Sequence, residues 1–236
     1  MITQWGYEEG LIQSYTLPYL KIIHTISPEV SIFLVTQEKT QLYKDGPKLK
    51  RIEEYLSGYN IILLPEKYYK AGFVKYLFSV SRLFKHLGFI FKNKIGIIHS
   101  FCTPAGSYAY ILAKLTNRQL IVDSYEPHSE YMRESGAWSE KSFKYRFLTS
   151  MEKKQAVAAR HLIATTPGML AYTKKRFNIQ LKNEYVKPAC VDLEKFNYKE
   201  KEAVSIRKQM GLEKKIVGVY AGKFGDFYLK DEIFDL

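Results

Sequence analysis

The chain has 236 residues, room for one large domain or two small ones, and 46% of them are hydrophobic, which argues against wholesale disorder. A formal net charge of +12 favours an anionic partner: nucleic acid, an acidic membrane surface or a phosphorylated ligand. Cys102 and Cys190 stand far apart in no metal-like spacing, so a disulfide framework is not expected and a reducing compartment fits.

The opening "MITQWGYEEG" lacks the basic and apolar regions of a signal peptide, and no apolar run is long enough to span a bilayer. The expected location is cytoplasmic, with docking on a membrane left open. "MITQW" reads as the tail of a first strand. Short apolar, β-branched runs then recur: "VSIFLV" (30–35), "NIILLP" (60–65), "GIIHS" (96–100), "QLIVDS" (119–124), "HLIATT" (161–166), "EYVKPA" (184–189) and "KIVGVYAG" (215–222). Continuous rather than alternating runs suit strands buried on both faces of a parallel sheet. Segments of helical spacing lie between most of them, which predicts an α/β fold with a parallel sheet and right-handed crossovers.

Between the second and third runs, "YYKAGFVKYLFSVSRLFKHLGFIFKNK" (68–94) holds no acidic residue. On a helix, Lys70, Lys75, Arg82, Lys85, His86 and Lys92 share one half of the circumference, with Phe78 and Phe89 among them. Tyr76, Leu77, Val80, Leu83, Phe84, Leu87, Ile90 and Phe91 fill the opposite arc. Aromatic rings among lysines fit an interfacial membrane helix, with Lys75, Phe78, Arg82, Lys85 and Phe89 as contacts. An ordinary surface helix packed on the sheet is the alternative. Nucleic-acid binding would use similar chemistry, but no such signature accompanies it, so no nucleic-acid partner is expected.

Thr103-Pro104 and Thr166-Pro167 each follow a strand and predict helix starts, with threonine as the cap and proline in the first turn. Both mark the carboxyl edge of the sheet, where open α/β sheets bind ligands. "IVDSYEPHSEYM" (121–132) runs from a strand into the same edge. There Asp123 and Glu126 flank His128, and a carboxylate can orient an imidazole and raise its basicity. Of the other histidines, His24 and His161 read as structural, and His99, at a strand end, remains open either way. No histidines pair at metal-ligand spacing, and no dinucleotide fingerprint, P-loop or nucleophile elbow occurs. In "GVYAGKFGDFY", Gly218, Gly222, Gly225 and Lys223 follow a strand and suit either a phosphate loop or a plain turn.

The order and content of these segments resemble the retaining group 4 family of two-Rossmann-domain (GT-B) glycosyltransferases. "GLIQSYTLPYLKII" (10–23) resembles its glycine loop and first helix, and "IIHSFCTPAGSYAYILAKL" its histidine-led strand, loop and helix. "IVDSYEPHSEYM" resembles the segment carrying its active-site histidine, and "LIATTPGMLAYTKKRFNI" the strand and helix beyond. "VKPACVDLEKFNY" (186–198) resembles its P-N-G-V-D-x-x-x-F linker, and "VGVYAGKFGDFY" the first strand and phosphate loop of its second domain.

The resemblance implies a Rossmann-like N-terminal acceptor domain over 1–197, followed over 198–236 by a linker and the start of an incomplete donor domain. It implies sugar transfer from a nucleotide-sugar to a cell-envelope or lipid-linked acceptor, with retention, no metal and no cofactor beyond the co-substrate. His128 would be catalytic; Gly10, Gly222 and Lys223 would bind the donor; Ser14, Tyr15 and Glu126 would line the acceptor side. The sequence departs from the family in "PACVD", where Ala189-Cys190 replaces Asn-Gly, and Leu236 comes before the family's paired donor-site glutamates; Lys230 stands in for a second phosphate-binding base. The expectation is that this chain does not catalyse transfer alone. The alternative is a catalytically silent half that binds a membrane or a partner.

Overall fold

A computed structural model of the protein describes residues 1–39, 45–68, 80–194, 196 and 200–221. Among them, six strands alternate with helices: β1 (Ile32–Glu38), β2 (Ile61–Lys67), β3 (Ile97–Phe101), β4 (Gln119–Tyr125), β5 (His161–Ala164) and β6 (Glu184–Val186). The helices are α1 (Leu17–Ile26), α2 (Gly46–Ser57), α3 (Val80–Lys92), α4 (Thr103–Thr116), α5 (His128–Glu134), α6 (Phe143–Ala158), α7 (Pro167–Phe177) and α8 (Glu200–Gln209). A π-helical turn, Ile12–Thr16, leads into α1. The chain divides into Met1–Ala189 and Cys190–Leu236, against an expected boundary after residue 197.

All strand pairs are parallel, as expected of the apolar runs. β1 pairs with β2, and β3, β4, β5 and β6 pair in that order. Ile2 bridges Val35 of β1 and Ser100 of β3, both in parallel sense, and so links the pair to the four. Its N–H reaches the His99 carbonyl at 2.7 Å, and its own carbonyl accepts from Phe101 N–H at 2.9 Å. "MITQW" thus behaves as strand tail. β1 and β4 are buried over most of their length, while β6 is exposed throughout and forms an edge.

Small side chains set how closely α4 packs. Ala105, Ala109 and Ala113 are buried, and a Cβ on Gly106 would lie 1.8 Å from Gln155 Oε1 of α6. Only glycine admits that approach. Around these contacts a core of Tyr108, Leu112, Leu120, Val122, Tyr125 and Leu162 fills one half of the unit, and Ile12, Leu20, Leu34, Leu56, Ile61 and Leu63 fill the other. Burying a leucine-sized side chain contributes roughly 1.5–3 kcal/mol, which makes these positions the main source of stability.

Two expectations need correction. "KIVGVYAG" forms no strand over its described residues 215–221, and Ile216 and Val219 are exposed. A strand requires a hydrogen-bonded neighbour, and these residues pair with none of the described strands. Thr103 begins α4 but does not cap it; the cap position is Cys102, at φ 70°. Thr166, by contrast, caps α7 as predicted, its side chain accepting from Met169 N–H.

Within the 68–94 segment the described helix is α3, and its inward side straddles the two arcs: Ile90 is buried and Leu83 and Leu87 pack on the core, as the apolar arc leads one to expect, but two basic-arc residues go in with them. Arg82 and His86 are buried, whereas Val80, Phe84 and Phe91 are exposed. The cause is a buried carboxylate on β2. Glu66 Oε1 accepts from His86 Nε2 and Lys85 Nζ at 3.1 Å each, and Arg82 Nε sits 3.1 Å from Oε2 as an ion pair. Arg82 also donates to Gln37 Oε1 at 3.1 Å and to the Lys67 carbonyl at 3.0 Å. Burial by itself would raise the Glu66 carboxyl, but its three basic partners hold it down to about 2. Phe89 turns inward too, edge-on to Phe33 at 5.0 Å. Arg82 is therefore buried away from any membrane surface; Phe89 is half-buried, and Lys85 keeps an exposed side chain. Lys75 and Phe78 lie outside the described residues.

Candidate functional site

β4 ends irregularly. Its register with β5 shifts between Val122 and Tyr125, and Ser124 adopts a left-handed φ of 50°. Such a bulge re-aims the side chains around it. Asp123 points inward, fully buried, and the chain then leaves the sheet through Glu126 and Pro127 into α5 at His128.

Glu126 is clamped by Thr103. The threonine hydroxyl donates to the Glu126 carbonyl at 2.6 Å and accepts from its N–H at 2.9 Å. The first residue of α4 is thus stitched to the chain beyond β4. The Glu126 side chain then meets His128, Oε1 to Nδ1, at 2.7 Å. An ionised carboxylate can only accept, so Nδ1 carries the proton and Nε2 is left for another partner. Tyr131 and Trp138 lie beside the imidazole, each with a ring centroid 6.3 Å away. The side chain of His128 is 26% exposed: anchored, yet open to a ligand. Chemically, the arrangement offers one oriented ring nitrogen, able to accept from a hydroxyl or, when protonated, to donate to a developing negative charge.

Asp123 does not orient His128. Its carboxylate bonds the Lys187 ammonium and lies 3.5 Å from His99 Nε2. Burial by itself would raise the Asp123 carboxyl, but His99 and Lys187 take it below the ordinary range. The same burial lowers His99. The Lys187 ammonium also sits over the rings of Tyr19 and Tyr15, at 3.7 and 4.7 Å. His99, open in the sequence, is therefore part of a buried charge cluster beneath the edge.

The loop leading to Gly10 and the π-helical turn bearing Tyr15 reach the same edge. Tyr15 packs on Phe101, at the end of β3, with ring centroids 5.0 Å apart. Ser14 is exposed, and its hydroxyl donates to the Gly10 carbonyl at 2.6 Å. A Cβ on Gly10 would meet no atom within 4 Å, so nothing in the described chain requires glycine there. Glu38, at the end of β1, fixes the start of this loop: it accepts from Tyr7 N–H at 2.9 Å, and a Cβ on Gly6 would lie 2.8 Å from its Oε2. Phe101 and Lys187 connect this segment to Asp123 of β4: Phe101 pairs with Asp123 in the sheet, and Lys187 bonds its carboxylate. Gly222, Lys223 and Lys230 lie outside the described residues.

Sequence reasoning missed Thr103 as a clamp, Glu38, Lys187 and a further buried acid, Glu152. Lys187 sits in an unremarkable "VKPA", and Glu152 in the middle of a helix; only tertiary contacts mark either. Among the described residues, no group of three or more His, Cys, Asp or Glu side chains could hold a metal ion. No described helix is long and apolar enough to cross a membrane. A cavity of about 500 Å³ opens elsewhere, between the starts of β1 and β3; Tyr19, Ile23, Phe33, Phe89 and Ile97 line it, and none of the expected catalytic, donor or acceptor residues does.

No protein-family profile and no curated protein matches this sequence. Its fold is nevertheless shared with solved structures. Anabaena Alr3699/HepE in complex with UDP is similar at a TM-score of 0.54 and 13% identity, over 89% of this chain and 49% of that one. Arabidopsis thaliana UGT89C1 complexed with quercetin is similar at a TM-score of 0.51 and 11% identity, over 88% of this chain and 54% of that one. The chain spans about half the length of these structures. At such identities the likeness establishes the fold: a Rossmann-like parallel sheet flanked by helices, of the kind found in half of a GT-B glycosyltransferase.

Proposed function

We propose that this chain carries the acceptor-binding half of a glycosyltransferase that moves a sugar from a nucleotide-sugar to a saccharide or lipid-linked acceptor of the cell envelope. The observation that carries this reading is the Glu126–His128 pair, held at 2.7 Å on the carboxyl edge of the sheet with one imidazole nitrogen unused by the pairing. In the reaction, the bond from the anomeric carbon to the diphosphate oxygen breaks, and a bond to the acceptor oxygen forms on the same face. His128 meets the sugar as charge develops, and Gly222 and Lys223 meet the departing diphosphate. Tyr15 and Ser14 line the acceptor side, and the open space above Gly10 admits the donor. UDP is the first nucleotide to test, because Alr3699/HepE is seen with it. No metal or other cofactor enters this scheme.

Docking on the inner face of an anionic membrane belongs to the same reading, moved to the face that α3 exposes. Val80, Phe84 and Phe91 are 62, 67 and 56% exposed, and Lys85 lies beside them. Co-sedimentation with anionic and neutral vesicles tests it, with Phe84→Ser expected to weaken anionic binding.

Titration of the protein with a panel of saccharide acceptors, followed by the imidazole NMR signals, tests the main reading. At least one saccharide is expected to shift the His128 signal and to lose affinity in Tyr15→Ala. A panel that leaves His128 untouched would sink it and favour the silent half.

A further inference from the structure

We infer that Glu152 is a positioning residue for His128, acting through Ser129; as a statement about catalysis, this rests on the function proposed above. Glu152 lies on α6 and is fully buried. Both of its oxygens are taken by one residue: Ser129 N–H donates to Oε1 at 2.7 Å, and Ser129 Oγ donates to Oε2 at 2.6 Å. Thr149, three residues earlier on the same helix, donates to Ser129 Oγ at 2.9 Å. The serine hydroxyl thus gives its single proton to Glu152 and accepts from Thr149, with its bonds arranged in one direction.

Ser129 is the residue after His128, and Glu126, two residues before it, is held by Thr103. His128 therefore sits between two clamps, one from α4 and one from α6. Fixing the N–H of residue 129 fixes the peptide that follows the His128 Cα. That leaves the ring little freedom beyond its own χ angles, and the Glu126 bond takes up χ1 and χ2. Supports of this kind decide whether a reacting group sits within the tolerance that chemistry needs.

Energetics argue that a carboxylate is kept here for more than packing. Burial pushes Glu152 up to about 7, so at neutral pH a substantial fraction is charged in a site with little water. A glutamine would fill the same volume without that penalty, but it offers one acceptor oxygen where Ser129 presents two donors. Local rules are broken in this way mostly at functional sites. The charged and titratable groups facing Glu152 are His128 of α5, Arg176 of α7 and Tyr125 of β4. A charge on Glu152 favours the imidazolium of His128.

The test compares the whole protein with Glu152→Gln, Glu152→Asp and Thr149→Val, using imidazole NMR with His128→Gln to assign the signal. In Glu152→Gln the His128 signal should shift and broaden. The unfolding temperature at pH 7 should stay equal or rise. Glu152→Asp keeps the charge but not the reach, so it should disturb the ring position too. Thr149→Val should loosen the same signal without altering the charge, which provides a reading if Glu152→Gln does not fold. A saccharide bound by the wild type should bind Glu152→Gln at least tenfold more weakly.

A His128 signal unchanged in Glu152→Gln and Thr149→Val would overturn the inference, whatever happens to stability. Failure of the wild type to bind any saccharide would instead overturn the proposed function, and the His128 signal would still decide the positioning role.

Discussion

Replacing Glu66 by glutamine probes which way α3 faces. Glu66 is the shared partner of Arg82, Lys85 and His86, and its side chain and that of Arg82 are 6 and 7% exposed. Its carboxyl falls from 4.5 to about 2 in the folded protein, a difference worth about 3 kcal/mol. Breaking a buried pair from one side costs about 3–5 kcal/mol, because the other charge stays buried. The two routes agree, and Glu66→Gln is expected to destabilise by about 3 kcal/mol at pH 7. With a urea m-value of about 3 kcal/mol/M, the unfolding midpoint should drop by roughly 1 M. The wild-type contribution should be complete above pH 4.5 and fade as the pH falls towards 2, since the folded value lies below the unfolded one. Glu66→Leu combined with Arg82→Met should recover most of the loss, because an apolar pair of similar volume serves as well as a buried ion pair. A cost within about 0.5 kcal/mol, typical of surface substitutions, would refute the reasoning and return Arg82 to the solvent.

The remaining predictions concern the site and its supports. The Glu152 carboxyl rises from 4.5 to about 7 on folding, so it binds protons more tightly folded than unfolded; its contribution to stability should decline as pH rises from 4.5 to 7 and vanish from the profile in Glu152→Gln, as measured by thermal melts across that range. Lys187→Met leaves Asp123 buried without its ammonium partner and should cost about 3–5 kcal/mol in chemical denaturation. Gly106→Ala should drive Gln155 from its 3.1 Å bond to the Thr103 carbonyl and cost about 1–3 kcal/mol by the same assay. Thr103→Val removes both bonds to Glu126 and should cost about 1–3 kcal/mol while broadening the His128 NMR signal.

Local chemistry made much of this protein legible from its residues alone. Apolar runs located all six described strands; for inner strands such as β1 and β4 the reason is burial on both faces, whereas β6 is an exposed edge. Thr166-Pro167 announced a helix start, and Glu126 was named beside His128, because two residues of separation at a strand's end leave a side chain within reach of its neighbour. The fold class followed from the alternation of elements.

Tertiary structure alone decided the orientation of α3. Its sequence leaves the rotation of the helix about its axis open, and Glu66, a carboxylate on a different element, pulls Arg82 and His86 under cover beside Ile90. Periodicity reports that two faces differ, not which one a distant charge will claim. The same holds at the site. Asp123 and Glu126 both stand within five residues of His128 in sequence, yet Asp123, beside the bulge at Ser124, meets His99 and Lys187 instead. Thr103 and Glu152, the two clamps around His128, come from helices 23 residues or more away in the chain. A sequence displays which groups can make a bond; the packing of α4 and α6 against β4 determines which of them meet, since a hydrogen bond tolerates only a few tenths of an ångström and the chain reaches that precision only once it is folded.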